Sequence, residues 1–125
     1  MKNYQFAEAF MQRTSQFAVR ILLLTKSMSK STENQVIARQ LAKCGTSVAA
    51  NYRAACRSRS RAEFVSKLCI VLEESDETVF WLELLDQAKI YNHERLSPLI
   101  QEAKEIRAIV AKARKTLKNQ SHRNS

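Results

Sequence analysis

The chain has 125 residues, with 21 lysines and arginines against 12 aspartates and glutamates for a formal charge of +9, and 45% of its residues are apolar. One glycine and one proline are too little punctuation for a β-sandwich or an α/β fold, and no apolar run approaches the ~20 residues of a membrane span, so one all-α domain is expected. Residues 1–10 hold Lys2 and Glu8 without a continuous apolar stretch, unlike a secretory signal, and the expected location is the cytoplasm.

The first helix is expected from Tyr4 to Ser27, where Phe6, Phe10, Phe17, Ile21 and Leu24 recur at three-, four- and seven-residue steps. Ser27 to Thr32 alternates serine with Met28 and Lys30 and reads as a polar connector. A second helix opens near Thr32, where Thr32 and Gln35 fit a capping box. Its inward stripe is Ile37, Leu41, Cys44, Val48 and Tyr52, and Ala42, Gly45, Ser47, Ala49 and Ala50 between them are small enough for close helix approach. Glycine in a helix interior costs up to ~1 kcal/mol against alanine, so Gly45 points to tight packing.

Ser60 and Glu63 form another capping box and open a third helix at about Arg61. Phe64, Leu68, Val71, Ser75, Thr78, Leu82 and Leu85 make its stripe, with Leu72, Val79 and Trp81 widening the face. This helix is expected to reach Ile90 and to be the longest. Asn92 and His93 begin a turn. The fourth helix starts either at Ser97–Pro98, an N-cap followed by proline at the first helical position, or near Glu94. Leu99, Ala103, Ile106, Val110, Ala113 and Leu117 are its apolar positions, and residues 119–125 read as a frayed basic tail beyond a domain of residues 1–118. Short connectors between long helices imply an antiparallel up-down-up-down four-helix bundle.

Charge is unevenly divided. Residues 1–31 carry +4, residues 32–59 carry +4, residues 60–92 carry −4 and residues 93–125 carry +5. One acidic helix thus lies among three basic segments, an asymmetry suited to self-assembly or to a polyanionic partner.

Nothing in the chain spells out catalysis. Glu73, Glu74, Asp76, Glu77, Glu83 and Asp86 invite a di-iron reading, but that site needs Glu-x-x-His on two helices, and the histidines are His93 in a turn and His122 in the tail. No Ser, His and acid set has triad spacing, and one glycine cannot build a phosphate loop. Cys44 and Cys56 share a helix roughly 18 Å apart, with no Cys-x-x-Cys, so Cys44, Cys56 and Cys69 read as small packed thiols. A non-enzyme without metal or cofactor is expected.

Two polar groupings remain. Glu74 and Glu77 lie near the apolar stripe and require partners, which Arg39, Gln40, Asn51 and Arg53 offer inside the bundle or across a subunit interface. Arg53, Arg57, Arg59 and Arg61 gather at the turn between the second and third helices, and Lys112, Arg114, Lys115, Lys118 and Arg123 gather late in the fourth. If these helices end at one pole, the clusters merge into a patch fit for phosphates; otherwise they are solvated cations at helix ends. No aromatic residues interleave them, so base stacking has no support.

The run from Glu33 to Leu85, through SVAANYRAACRSRSRAEFVSKLCIVLEESDETVFWLELL, resembles the bacterial four-helix proteins encoded within intervening sequences of 23S rRNA genes. The positions that carry this are Gln40, Leu41, Gly45, Thr46, Ser47, Val48, Ala50, Asn51, Tyr52, Arg53 and Ala55. They continue through Ser60, Glu63, Phe64, Lys67, Leu68, Glu73, Glu74, Asp76, Glu77, Trp81, Leu82, Glu83 and Leu85. The middle of the chain matches closely and the two ends match in helical pattern only. Cys44 and Ala49 depart from the serine and glycine usual in the family, small for small. The resemblance implies a bundle assembling into a ring, usually a homopentamer. It is similar in architecture to retroelement accessory proteins, which hold nucleic acid and a reverse transcriptase. Two functions follow as expectations: an oligomeric scaffold on RNA, or an adaptor for a protein such as a reverse transcriptase. No catalytic residues come with the resemblance.

Overall fold

The computed structural model describes residues 2–124, and the side chains of residues 4–120. Four helices follow one another: α1 Lys2–Ser27, α2 Thr32–Cys56, α3 Arg61–Gln87 and α4 His93–Asn124. Their connectors are four or five residues long and span at most ~18 Å, whereas each helix is ~38 Å or longer. Successive helices that pack together therefore run antiparallel. Side-chain pairs agree: Phe10 meets Tyr52 while Ile21 faces Gly45, and Cys69 meets Arg114 while Glu83 meets Lys104. α4 closes the bundle against α1, where Arg13 meets Glu102, and Ser27 at the end of α1 meets Tyr91 of the α3–α4 connector.

The core is the set of stripes expected from periodicity, with local differences. Phe17, Ile21, Leu41, Val48, Leu68, Val71, Leu82, Leu85, Ile106 and Val110 are buried. Phe6 is not part of this core; it is half exposed and stacks on Phe10 at 5.7 Å. Leu96 is fully buried and belongs to a turn of α4 that precedes Ser97. The hydroxyls of Thr14, Ser75 and Thr78 are buried in the apolar interior and each donates to a carbonyl of its own helix.

The helix ends show why some boundaries move. Ser31, one residue before Thr32, caps α2 by accepting from the Asn34 N–H. Ser60 caps α3 as expected, accepting from the Glu63 N–H at 3.0 Å. α3 stops at Gln87 rather than Ile90. Lys89 takes a left-handed φ of 56°, its N–H donates to Asp86 O, and the Ile90 N–H donates to Leu85 O. That pair of bonds is a Schellman motif with lysine where glycine is usual. α4 starts at His93 because the Asn92 side chain accepts from the Arg95 N–H at 3.0 Å. Pro98 therefore sits inside α4, where its missing N–H leaves the Glu94 carbonyl free on an exposed face. α4, not α3, is the longest helix, and the backbone of residues 119–124 continues it. The side chains of His122 and Arg123 lie outside the described residues.

Among the described residues, no helix is long and apolar enough to cross a membrane. The three thiols are free; Cys44 is buried, which pushes its pKa up to about 11, while Cys56 and Cys69 are half-buried.

Candidate nucleic-acid interface

The antiparallel order brings the end of α2, the start of α3 and the end of α4 to one pole. Arg61, in the first turn of α3, seals that meeting. Its Nη2 donates to Gln120 Oε1 at 2.7 Å and to the Leu117 carbonyl at 3.4 Å. The two cation clusters expected from sequence thus share one end of the bundle. Arg57, Arg59, Arg61, Lys112, Lys115 and Lys118 are all exposed there. Arg114 differs from them. It turns toward α3, placing Nη1 3.8 Å from Cys69 Sγ, and its Nε is buried without a hydrogen-bond partner.

The ion pairs lie elsewhere. Arg13 of α1 holds Glu102 through two bonds, from Nε at 2.7 Å and Nη2 at 2.6 Å, and reaches Glu105 at 2.8 Å. These carboxylates raise the Arg13 pKa. Lys104 pairs with Glu83, Arg107 with Asp76 and His93 with Asp86, all between α3 and α4 or their junction. The bond to Asp86 raises the pKa of His93. Among the described residues, none of these pairs uses a cation of α2 or of the α2–α3 turn.

The polar network expected around Glu74 and Glu77 takes another form inside the chain. Asn51 donates to its own helix, to Ser47 O at 3.0 Å and Ser47 Oγ at 2.8 Å. Among the described residues, no ion pair or side-chain hydrogen bond joins Glu74 or Glu77 to Arg39, Gln40 or Arg53; Arg39 and Arg53 project into solvent. Glu74 instead sits at the α2–α3 seam near Ser47 and Lys43. Partial burial and then the neighbouring charge of Glu77 raise its pKa.

Ala50, Arg53, Ala54 and Arg57 of α2, Arg59 of the turn, and Glu63 and Lys67 of α3 line an open groove of about 690 Å³ beside the basic pole. Its sequence trace is faint: Arg53 and Arg57 are four apart, as are Ala50 and Ala54, so cations and small residues alternate along one side of α2. Lys67 joins them only because α3 folds back.

This site is cationic. Among the described residues, no three His, Cys, Asp or Glu side chains are grouped to hold a metal ion. A family model described as 23S rRNA-intervening sequence protein matches residues 8–112. The chain belongs to that family. A crystal structure of a protein of unknown function from the S23 ribosomal protein family, from Bacteroides thetaiotaomicron, superimposes with a TM-score of 0.80. It is 33% identical, over 87% of this chain and 97% of its own. No curated protein matches the chain. The family match spans the α2–α3 turn, the groove and α4 as far as Lys112, and stops short of Lys115 and Lys118.

Proposed function

We propose that this 23S rRNA-intervening sequence protein is a non-enzymatic scaffold that self-associates and contacts RNA through its basic pole. The observation that carries the reading is the bond from Arg61 to the end of α4. It fuses two clusters, separate in sequence, into one surface of six exposed cations. Phosphate contacts from such a surface are sequence-independent and release counterions. The pole would then bind RNA by its backbone rather than by its bases. Cytoplasmic location fits both the charge and the free thiols. Changing Lys112, Lys115 and Lys118 to glutamate is expected to abolish RNA binding while helicity by circular dichroism stays intact. Undiminished binding would remove the pole from the account.

A specific observation favours a second reading, as an adaptor for a protein partner such as a reverse transcriptase. Val19, Leu22 and Leu23 are exposed on the side of α1 away from the core, and Glu73, Glu74 and Glu77 have no ion-pair partner among the described residues. These apolar and acidic groups suit burial against another protein, including further copies in a homopentamer. Gene neighbourhood separates the readings: an adjoining 23S rRNA gene favours RNA, an adjoining reverse-transcriptase gene favours the adaptor. Native mass spectrometry tests the ring, and a monomer at micromolar concentration would exclude it.

A further inference from the structure

We propose that the α2–α3 groove is a second RNA contact, a cradle for the phosphodiester backbone of a single strand leaving the basic pole. This inference rests on the RNA reading above and gives it a path.

Arg53, Arg57, Arg59 and Lys67 wall the groove against one carboxylate, Glu63, and none of the four cations is in an ion pair among the described residues. Four positive charges thus face one negative charge, an excess that the groove itself does not balance. The floor is Ala50 and Ala54, whose single methyl groups let a backbone settle between the flanking side chains. Ala50 to Arg57 covers about 10 Å of helix, the axial length of roughly three stacked nucleotides. Three of the cations are arginines, whose planar forks match phosphate oxygens. No aromatic residue lines the groove, so it offers bases no stacking surface and holds the strand by its phosphates.

Continuity favours RNA over an acidic protein segment. Arg57 and Arg59 belong both to the groove and to the pole, so a track of cations leads from Lys67 and Arg53 into the pole, with Glu63 as the carboxylate in its wall. A polyanion with evenly spaced charges fits such a track along its whole length. An acidic patch on a folded partner covers only part of it.

Fluorescence anisotropy with a labelled 15-nucleotide oligouridine, over a series of salt concentrations, tests the groove. Replacing Arg53 and Lys67 together by glutamine removes two contacts without touching the pole. The slope of log affinity against log salt should become shallower by about 1.4, at about 0.7 per single-strand contact. An unchanged slope in this variant, with a shallower one on neutralising Lys112, Lys115 and Lys118, would overturn the groove and leave the pole standing. No oligouridine binding by the wild-type protein even at low salt would overturn both. An oligoglutamate peptide that displaces the RNA at equal charge concentration, or a fall in native mass in the Arg53 and Lys67 variant, would assign the groove to an acidic partner or a second copy and overturn the proposal.

Discussion

Gly45 of α2 lies against Ile21 of α1 so closely that a Cβ built on the glycine would sit 2.9 Å from Ile21 Cγ2, 3.0 Å from Cγ1 and 3.1 Å from Cβ. The branched Cβ and its two substituents cannot all swing aside, because Ile21 is itself fully buried. This approach sets how closely α1 and α2 pack.

Gly45→Ala therefore sets two effects against each other. Alanine gains up to ~1 kcal/mol of helix propensity, while overpacking costs roughly 1–3 kcal/mol. The clash should win, lowering stability by about 1 kcal/mol in urea unfolding. A variant more stable than wild type would show that the two helices separate freely.

Lys89→Gly should act in the other direction. Lys89 holds φ 56° at the end of α3, a conformation that costs a side-chain-bearing residue about 1–2 kcal/mol and glycine almost nothing. After allowing for the more flexible unfolded chain, a gain of about 1 kcal/mol is expected. An unchanged urea midpoint would mean that the Lys89 side chain compensates for the strain.

Glu74→Gln gives a pH test of the α2–α3 seam. Burial and Glu77 raise the folded-state pKa above the unfolded value, so the native state holds the proton more tightly. The stability linked to that proton is full below about pH 4 and is lost as pH rises through the raised value. Glutamine removes the penalty. The variant should melt higher than wild type at pH 7, with the difference closing below about pH 4. A lower melting point at pH 7 would instead show that a cation, Lys43 or one supplied by another copy, outweighs the burial of Glu74.

Arg13 fastens α4 to α1, and its two bonds to Glu102 fix it in one geometry. Arg13→Ala should cost about 1 kcal/mol, the upper range for a half-exposed pair, and Arg13→Lys should recover little because lysine lacks the fork. Full recovery by lysine would reduce the contact to simple charge attraction.

Much of the fold was legible because apolar spacing alone selects the buried faces. Phe17, Ile21, Leu41, Val48, Leu82 and Ile106 were marked by periodicity, and Ser60 with Glu63 marked the start of α3. Boundaries set by single side chains were harder. Ser31 and Thr32 are equivalent caps until backbone geometry chooses one, and a Schellman turn without glycine leaves no trace at Lys89. The basic pole was legible as two clusters because helix direction follows from short connectors. The Arg13–Glu102 fork and the place of Lys67 in the groove were not, since both depend on the rotation of one helix against another, which periodicity fixes only to within a face.

The most direct measurement is the affinity of nuclease-treated protein for a structured RNA across a range of salt concentrations. The account predicts binding at low salt that weakens steeply, with log affinity linear in log salt, as phosphate contacts by the six exposed cations of the pole require. Absence of binding at low salt, or binding indifferent to salt, would contradict it and turn attention to protein partners.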